Sequence, residues 1–354
     1  MVSVRIRRIA ITGAVCLLAA AAVTGCGKQG SDDSGSKGGG GSNKGPKVGL
    51  VTDVGGLNDR SFNFLANKGF EQARDELGSS GSVIESKSAS DYERNLGTGA
   101  TSNDLVVGIG FLMGDAVKNT AAKLPDTDFA IVDYTYDGED GAWTATDNVA
   151  GILFKEQEAG YLAGVLAGAA EQDSTLEGLN DKHVVSAVGG QEIPPVVKYI
   201  AGFKAGVMSQ CKDCTVLVDY SQDFIDQSKC QDRARKQIAK GSDIVFQVAG
   251  QCGLGALSAA KSAKVWGIGV DADQGYLGAH ILTSAVKRVD QAVFQMIKDE
   301  DSGDFPGGKA TVFGLAEDGV GIGDIAEPAQ QYADLVDEAR DGIVSGDITV
   351  PETL

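Results

Sequence analysis

Short apolar runs alternate with amphipathic stretches along most of this chain, and this alternation limits its fold more than any other feature. Residues 47–54 form the first apolar run, and in the following stretch, 58–77, apolar side chains recur at helical spacing. Further strands are predicted at 82–85, 104–109, 129–134, 183–188, 215–220, 243–248, 265–270 and 280–284. Helices are predicted at 91–100, 114–123, 155–171, 195–209, 226–240, 254–263 and 289–300. The alternation indicates parallel sheets that are covered by helices on both faces.

The number of strand–helix units fits either one closed barrel or two open sheets. A polar stretch, 137–147, interrupts the alternation near the middle of the chain, and the segment after residue 310 is too irregular to complete a barrel. We therefore predict an α/β fold of two doubly wound lobes with a cleft between them. In such folds ligands bind beyond the carboxyl ends of the strands and between domains.

The amino-terminal segment has the layout of an export signal. Arg5, Arg7 and Arg8 precede an apolar run, 9–23, and the sequence Val-Thr-Gly-Cys ends at Cys26. This ending resembles a bacterial lipobox, so we predict a signal peptide at 1–25 and lipidation of Cys26. A plain signal peptide with a chance cysteine is the alternative.

Residues 27–46 are predicted to be a flexible tether. Eight of these twenty residues are glycine and none is large and apolar, so the segment cannot bury a core. A lipid anchor followed by a soft tether predicts a domain on the extracytoplasmic face of the cell membrane.

The charge excludes one class of partner. The formal net charge is −18, and the first 46 residues carry +4, so residues 47–354 carry −22. Nucleic-acid affinity depends on basic side chains that neutralise phosphates, so we expect no nucleic-acid partner. We also expect the protein to be a monomer.

The cysteine count predicts two disulfides. After Cys16 in the signal and Cys26, four cysteines remain, at positions 211, 214, 230 and 252. Three pairings are possible, and we favour Cys211–Cys214 with Cys230–Cys252. A metal site with four thiolate ligands is the competing interpretation. We predict no metal because only one C-x-x-C spacing is present and export is oxidising.

Motifs of the common enzyme classes are missing from the sequence. It contains no G-x-x-x-x-G-K-[ST], no H-E-x-x-H and no G-x-S-x-G. The two histidines, His183 and His280, each begin an apolar strand. We therefore predict no catalytic residues and no cofactor.

Polar residues do follow the predicted strands. Asp53, Asp133 and Asp271 each end an apolar run, and carboxylates in these positions can accept hydrogen bonds from a ligand. The candidate ligand-binding residues are Asp53, Asn58, Asp59, Ser61, Phe62, Asp133, Phe224, Gly250 and Asp271, of which the two phenylalanines could pack on a flat ring. The structural alternatives are a helix N-cap for Asp59, a place in the core for Phe62 and a turn for Asp271.

At these positions the chain resembles the basic membrane protein family of bacterial substrate-binding lipoproteins, which includes purine-nucleoside receptors. The resemblance covers about 47–310, and no single motif in it is specific, whereas their order is. The motifs are VTDVGGLNDRSFN (51–63), GIGFLM (108–113), NVAGILF (148–154), AGYLAG (159–164), VGGQ (188–191), GFKAG (202–206), VFQVAG (245–250), GIGVDADQ (267–274) and TSAVKRVD (283–290). One departure is Arg60, where the family usually has lysine.

The resemblance implies a type I periplasmic-binding-protein fold with a multi-crossover hinge. Its first lobe would comprise 47–148 with about 278–312, and its second 149–277 with about 313–354. It also implies delivery of the ligand to the permease of an ATP-binding-cassette importer.

The resemblance further implies roles for individual residues. Phe62 would stack on the base, with Phe224 as a second aromatic, and Asp133 would contact the base. Asp271 and Lys287 would hold the ribose hydroxyls. We therefore predict a lipid-anchored receptor for nucleosides, most of all purine nucleosides. The alternatives are a small-metabolite sensor without a transport role and, with less support, a nucleoside-cleaving enzyme.

Overall fold

The computed structural model of the chain describes residues 45–173 and 176–354. The predicted signal peptide, Cys26 and the tether up to residue 44 lie outside the described residues. Within the described part, no helix is both long and apolar enough to cross a membrane.

Strands and helices alternate through the described residues, as the apolar pattern predicts. The strands are β1 (Lys47–Thr52), β2 (Ser80–Glu85), β3 (Leu105–Ile109), β4 (Asp128–Val132), β5 (Val149–Phe154), β6 (Val184–Gly189), β7 (Thr215–Tyr220), β8 (Ser242–Val248), β9 (Trp266–Asp271), β10 (Ile281–Lys287), β11 (Lys309–Phe313) and β12 (Val320–Ile322). The α-helices are α1 (Phe62–Leu77), α2 (Tyr92–Ala100), α3 (Gly114–Ala121), α4 (Glu156–Glu171), α5 (Pro194–Gln210), α6 (Gln227–Ala239), α7 (Gly250–Ala263), α8 (Val289–Ser302) and α9 (Ala333–Ser345).

The strands form two six-stranded sheets with the same internal order. The first sheet runs β2-β1-β3-β4-β5-β11 and the second runs β7-β6-β8-β9-β10-β12. Neighbouring strands are parallel except at the edge of the second sheet, where β12 is antiparallel to β10. Every residue of the central strands β3 and β8 is buried, as expected for strands that helices cover on both faces. The prediction of two doubly wound lobes is confirmed.

The chain passes between the two sheets three times. It leaves the first sheet after β5 and enters α4, which packs on α5 and β10. It returns after β10 into α8, which packs on α1, and it crosses again between β11 and β12. The three crossings lie at residue 155, residue 288 and residues 314–319, and each follows directly after the carboxyl end of a strand.

The predicted lobe boundaries therefore need correction at two strands. β5 pairs with β4 and so completes the first sheet, and β10 pairs with β9 in the second. The polar stretch 137–147, which suggested the first boundary, is a surface loop. In this loop Asp137 pairs with Trp143, and the Asn148 side chain then donates hydrogen bonds to the carbonyls of Leu124 and Thr127 as the chain re-enters the sheet.

Both predicted disulfides are present. Cys211 is bonded to Cys214 across the turn that joins α5 to β7, and Cys230 is bonded to Cys252, which joins α6 to α7. The favoured pairing among the three is thus confirmed.

Helices α4 and α5 pack unusually closely because glycines line their contact. A Cβ atom at Gly164 would overlap the carbonyl oxygen of Phe203, and one at Gly202 would overlap that of Gln157. The absence of side chains therefore lets the two backbones touch. This contact sets the position of α5 in the second lobe.

We predict that Gly164→Ala destabilises the protein, because the added methyl group must push α5 away from α4. Overpacking of this kind costs about 1–3 kcal/mol in the free energy of unfolding, which urea denaturation measures. Gly97→Ala in α2 is the matched control, since nothing lies within 4 Å of a Cβ atom at that helical position. The control should be neutral or stabilise by up to about 1 kcal/mol. Equal effects of the two substitutions would contradict the close-packing explanation.

Candidate functional site

A cleft lies between the two lobes, at the carboxyl ends of strands from both sheets. It contains about 630 Å³ of empty space, part of which is open to solvent. Its wall includes the predicted residues Asp53, Asp59, Phe62, Asp133, Phe224, Gly250, Asp271 and Lys287. The first lobe contributes those that follow β1 and β4, and the second contributes those at the ends of β8, β9 and β10.

Lys287 joins the two lobes at the base of the cleft. It is the last residue of β10, and its Nζ atom lies 2.7 Å from Asp133 Oδ2 in the first lobe and 3.3 Å from Glu156 Oε1 at the start of α4. All three side chains are buried. The ammonium also lies 4.8 Å from the centre of the Phe62 ring, within cation–π distance.

The electrostatics of this triad follow from burial and close contact. Burial alone lowers the pKa of Lys287, but the carboxylates of Asp133 and Glu156 outweigh it and raise that pKa above its usual value. Burial raises the pKa of Asp133, and Lys287 partly opposes this rise. Burial also raises the pKa of Glu156. Lys287 is therefore charged at neutral pH, and Asp133 is its nearest counter-ion.

Asp271 makes the second direct contact between the lobes. Its Oδ2 atom accepts a hydrogen bond of 2.6 Å from Ser61 Oγ at the start of α1, and its Oδ1 atom accepts one of 3.2 Å from the Tyr199 hydroxyl in α5. Both donors are hydroxyl groups. Asp133 and Asp271 also have positive φ angles, 68° and 60°. Such strained backbone at the ends of two strands is typical of functional sites.

Asp53 is held at the end of β1 by its neighbours. Its Oδ1 atom accepts hydrogen bonds from Asn63 Nδ2 at 2.8 Å and from the backbone N–H of Gly55 at 2.9 Å. Burial raises the pKa of Asp53 to about 6, although both hydrogen bonds oppose that rise. A carboxyl group with this pKa changes from mostly protonated to mostly ionised as the pH rises through about 6.

Two predicted residues, Asn58 and Ser61, do not line the cleft, and a third, Asp59, lines it with a carboxylate that is already engaged. Asp59 lines the cleft, but its carboxylate accepts hydrogen bonds from the backbone N–H groups of Ser61, Asn63 and Phe64. These bonds satisfy N–H groups at the start of α1, although the N-cap residue of that helix is Ser61 and not Asp59. Asn58, in the short helical turn at 57–59, is exposed and does not line the cleft, so the structure does not bring it together with the other predicted residues. Ser61 is buried and contacts the wall through its hydroxyl, which lies within hydrogen-bond distance of Asp271 Oδ2 and of the Val270 carbonyl.

The two aromatic residues lie on opposite lobes. Phe62 is the first residue of α1, and its ring packs both on the core and on the cleft. Phe224 lies in the loop after β7, where its carbonyl accepts a hydrogen bond of 3.0 Å from the N–H of Cys252. Its ring covers Gly190, where a Cβ atom would overlap it.

Sequence reasoning missed four polar residues of the site, namely Asn63, Glu156, Tyr199 and Gln251. Asn63 lies within the first motif, and Glu156 is the first residue after the β5 crossing, so the strand-end signal could have found both. Tyr199 gives no such signal. It lies in the apolar stripe of α5, where its pattern matches that of a core residue.

Among the described residues, one group of possible metal ligands lies close together, and it lies outside the cleft. Among the described residues, His183, Cys211 and Cys214 have ligand atoms within 4.8 Å of one another. The two sulfurs are joined in a disulfide, however, and a metal binds the thiolate form of cysteine.

Comparison with known proteins places this cleft in context. The family model described as "ABC transporter substrate-binding protein PnrA-like" matches residues 47–353. The CD4+ T-cell-stimulating antigen of Listeria innocua is 36% identical over 95% of this chain and 96% of its own length. A Lactococcus lactis protein named ABC transporter nucleoside-binding protein BmpA is 31% identical over 98% of this chain and 99% of its own.

Solved structures share the two-lobe architecture. The crystal structure of an ABC-transporter solute-binding protein from Aeropyrum pernix aligns with a TM-score of 0.74 at 28% identity, covering 86% of this chain and 93% of that one. The similarity therefore extends over both lobes and the hinge.

We predict that Lys287→Met strongly destabilises the protein, because it leaves Asp133 and Glu156 buried without a counter-ion. Breaking a buried ion pair in this way costs about 3–5 kcal/mol, which urea denaturation measures. Lys68→Met is the control: Lys68 also contacts a carboxylate at 2.6 Å, that of Asp290, but its side chain is 59% exposed against 2% for Lys287. The control should lose at most about 1 kcal/mol. Similar losses in both variants would refute the role given to burial.

We also predict that Asp53→Asn flattens the pH dependence of stability. The raised pKa of Asp53 means that the folded state keeps its proton to about pH 6, whereas the unfolded chain releases it near 3.8. Its contribution is therefore complete below pH 3.8 and is lost as the pH rises through 6, an effect of up to about 3 kcal/mol. Urea denaturation between pH 4 and pH 7 should show a smaller decline for the variant. The same slope in both proteins would show that Asp53 ionises freely in the fold.

Proposed function

The chain belongs to the family of PnrA-like substrate-binding proteins of ABC transporters, and from this premise we propose that its cleft binds nucleosides, purine nucleosides above all. The observation that carries the proposal is that one cleft combines two phenylalanines, Phe62 and Phe224, with the carboxylates of Asp133 and Asp271. Stacking of a flat base on an aromatic side chain contributes about 1–3 kcal/mol of binding free energy. Sugar hydroxyls donate hydrogen bonds to carboxylates, as two protein hydroxyls already do at Asp271.

The charge of the wall favours a nucleoside over a nucleotide. Lys287 is the one cationic side chain among the described residues of the wall, and Asp133 and Glu156 already neutralise it. A phosphate placed here would face Asp53 and Asp271 without a free counter-ion. Burial of such a charge is costly, so the cleft should reject phosphorylated ligands.

We place this domain on the outer face of the cell membrane. The lipobox-like sequence that ends at Cys26 and the glycine-rich segment after it support an anchored receptor, and the family supports delivery of the ligand to an importer permease. In this scheme the protein binds and releases its ligand without changing it chemically.

The proposal is tested by a panel of compounds in thermal-shift and calorimetric assays. We expect purine nucleosides to raise the unfolding temperature most, pyrimidine nucleosides and free bases less, and ribose and nucleoside monophosphates least. No stabilisation by any nucleoside would overturn the proposal. Uptake of radiolabelled nucleoside should fall in cells that lack the gene. Binding without a change in uptake would instead favour a sensor.

We predict that Asp271→Asn weakens nucleoside binding at least about tenfold, because hydrogen bonds to a charged group contribute about 1.5–3 kcal/mol. The amide keeps the size of the carboxylate but removes its charge. Asp219→Asn is the control: Asp219 also lies near the end of a strand, but it pairs with Arg233 outside the cleft wall. Calorimetry should show unchanged affinity for the control. Unchanged affinity for Asp271→Asn would remove that residue from the binding site.

A further inference from the structure

One disulfide lies directly behind the second-lobe wall of the cleft. Cys252 follows Gly250 and Gln251, and both of these residues line the cleft at the start of α7. Its partner Cys230 lies in the first turns of α6, six residues after Phe224. The bridge thus connects the two chain segments that form this wall.

Cys252 contacts the neighbouring segment at three points. Its sulfur bonds to Cys230 and lies 3.5 Å from Ser221 Oγ, and its backbone N–H donates a hydrogen bond of 3.0 Å to the carbonyl of Phe224. A second close approach lies one turn later, where a Cβ atom at Gly255 would overlap the carbonyl of Gln227. The start of α7 is therefore pressed against the segment from Phe224 to the start of α6.

The loop that carries Phe224, residues 221–226, is tied to the end of β6 through its first two residues, since the N–H groups of Ser221 and Gln222 donate hydrogen bonds to the carbonyls of Gly189 and Gly190. From Asp223 onward its hydrogen bonds are local, apart from the bond that the Phe224 carbonyl accepts from Cys252. Asp223 Oδ1 accepts from the N–H groups of Ile225 and Asp226, and Asp223 Oδ2 contacts Lys229 Nζ in α6. Phe224 itself is only partly buried, and Ile225 is 41% exposed. Loops with such exposure open locally at low free energy unless they are fixed elsewhere.

Both sulfurs are embedded in an apolar cluster. Cys230 and Cys252 are fully buried, together with Val188 of β6, Val245 of β8 and Ala256 of α7. The bridge is therefore packed against the sheet, and it can limit the movement of the segment that carries Phe224.

The other disulfide lies away from the cleft wall. Cys211–Cys214 closes a four-residue turn before β7, at the opposite end of that strand from Phe224. Neither of its residues lines the cleft.

We propose that the Cys230–Cys252 disulfide is a positioning element of the binding cleft, which holds the loop 221–226 on the first turn of α7 so that the Phe224 ring is fixed before the ligand arrives. Its effect on affinity rests on the proposed function, whereas its effect on the loop does not. Pre-ordering a wall raises affinity because the ordering cost is not met again on binding.

The test compares C230A/C252A with the matched control C211A/C214A. Alanine suits the apolar surroundings of both buried positions. On the ligand-free proteins, hydrogen–deuterium exchange should become faster in the peptides covering 221–228 and 250–254 of C230A/C252A, and stay unchanged there in the control. Calorimetry with the tightest-binding nucleoside of the panel should give a Kd about tenfold weaker for C230A/C252A, against less than about twofold for the control.

The possible outcomes separate the two proposals. A bridge with a merely structural role would lower the unfolding temperature but leave both the loop exchange and the Kd unchanged, and this result would overturn the inference. If no nucleoside binds the wild-type protein, the proposed function fails, and the exchange data alone decide the role of the bridge. If C230A/C252A does not fold, C230V/C252A, which refills part of the lost volume, takes its place.

Discussion

The geometry of the cleft depends on the ion pairs that the buried ammonium group of Lys287 forms. Burial of an unpaired ammonium group costs much free energy, so Lys287 can be buried here only together with its two carboxylate partners. Asp133 comes from the first lobe and Glu156 from the chain segment that has just crossed to the second. The pair can therefore form only when the two lobes approach each other in one relative position, which makes the cleft a defined site rather than a variable gap.

The three crossings place the chemistry of the cleft next to the hinge. Each crossing lies directly after the carboxyl end of a strand, and Glu156 and Lys287 flank two of them. A small rotation at the hinge therefore changes the distance between Lys287 and Asp133. Because α4 and α5 touch through glycines, Tyr199 of α5 is held at a fixed distance from Glu156 of α4. A rotation at the crossings would therefore move both side chains together.

Much of the fold and part of the site could be predicted from sequence. In two-lobe folds the carboxyl ends of the strands of both sheets face the cleft, which is why Asp53 and Asp133 of the first sheet and Asp271 of the second could be placed together without coordinates. The assignment of β5 and β10 to lobes could not be predicted, because both are apolar runs that fit either sheet equally well. Tyr199 escaped detection since a buried tyrosine in an apolar helix has the pattern of a core residue, and only the hydrogen bond to Asp271 distinguishes it.

The contacts between the lobes also limit where binding energy can originate. Asp271 already accepts hydrogen bonds from Ser61 and Tyr199, but a carboxylate has about four lone-pair sites, so it can accept a ligand hydroxyl as well. A ligand without that hydroxyl would forgo a hydrogen bond to a charged group, which contributes about 1.5–3 kcal/mol. Under the proposed function the carboxylates therefore contribute to both selectivity and affinity, and burial of a flat ring between Phe62 and Phe224 would contribute further affinity. The positions of the two rings, one set by the first turn of α1 and the other by a loop tied to α7, consequently also affect how tightly a ligand is held.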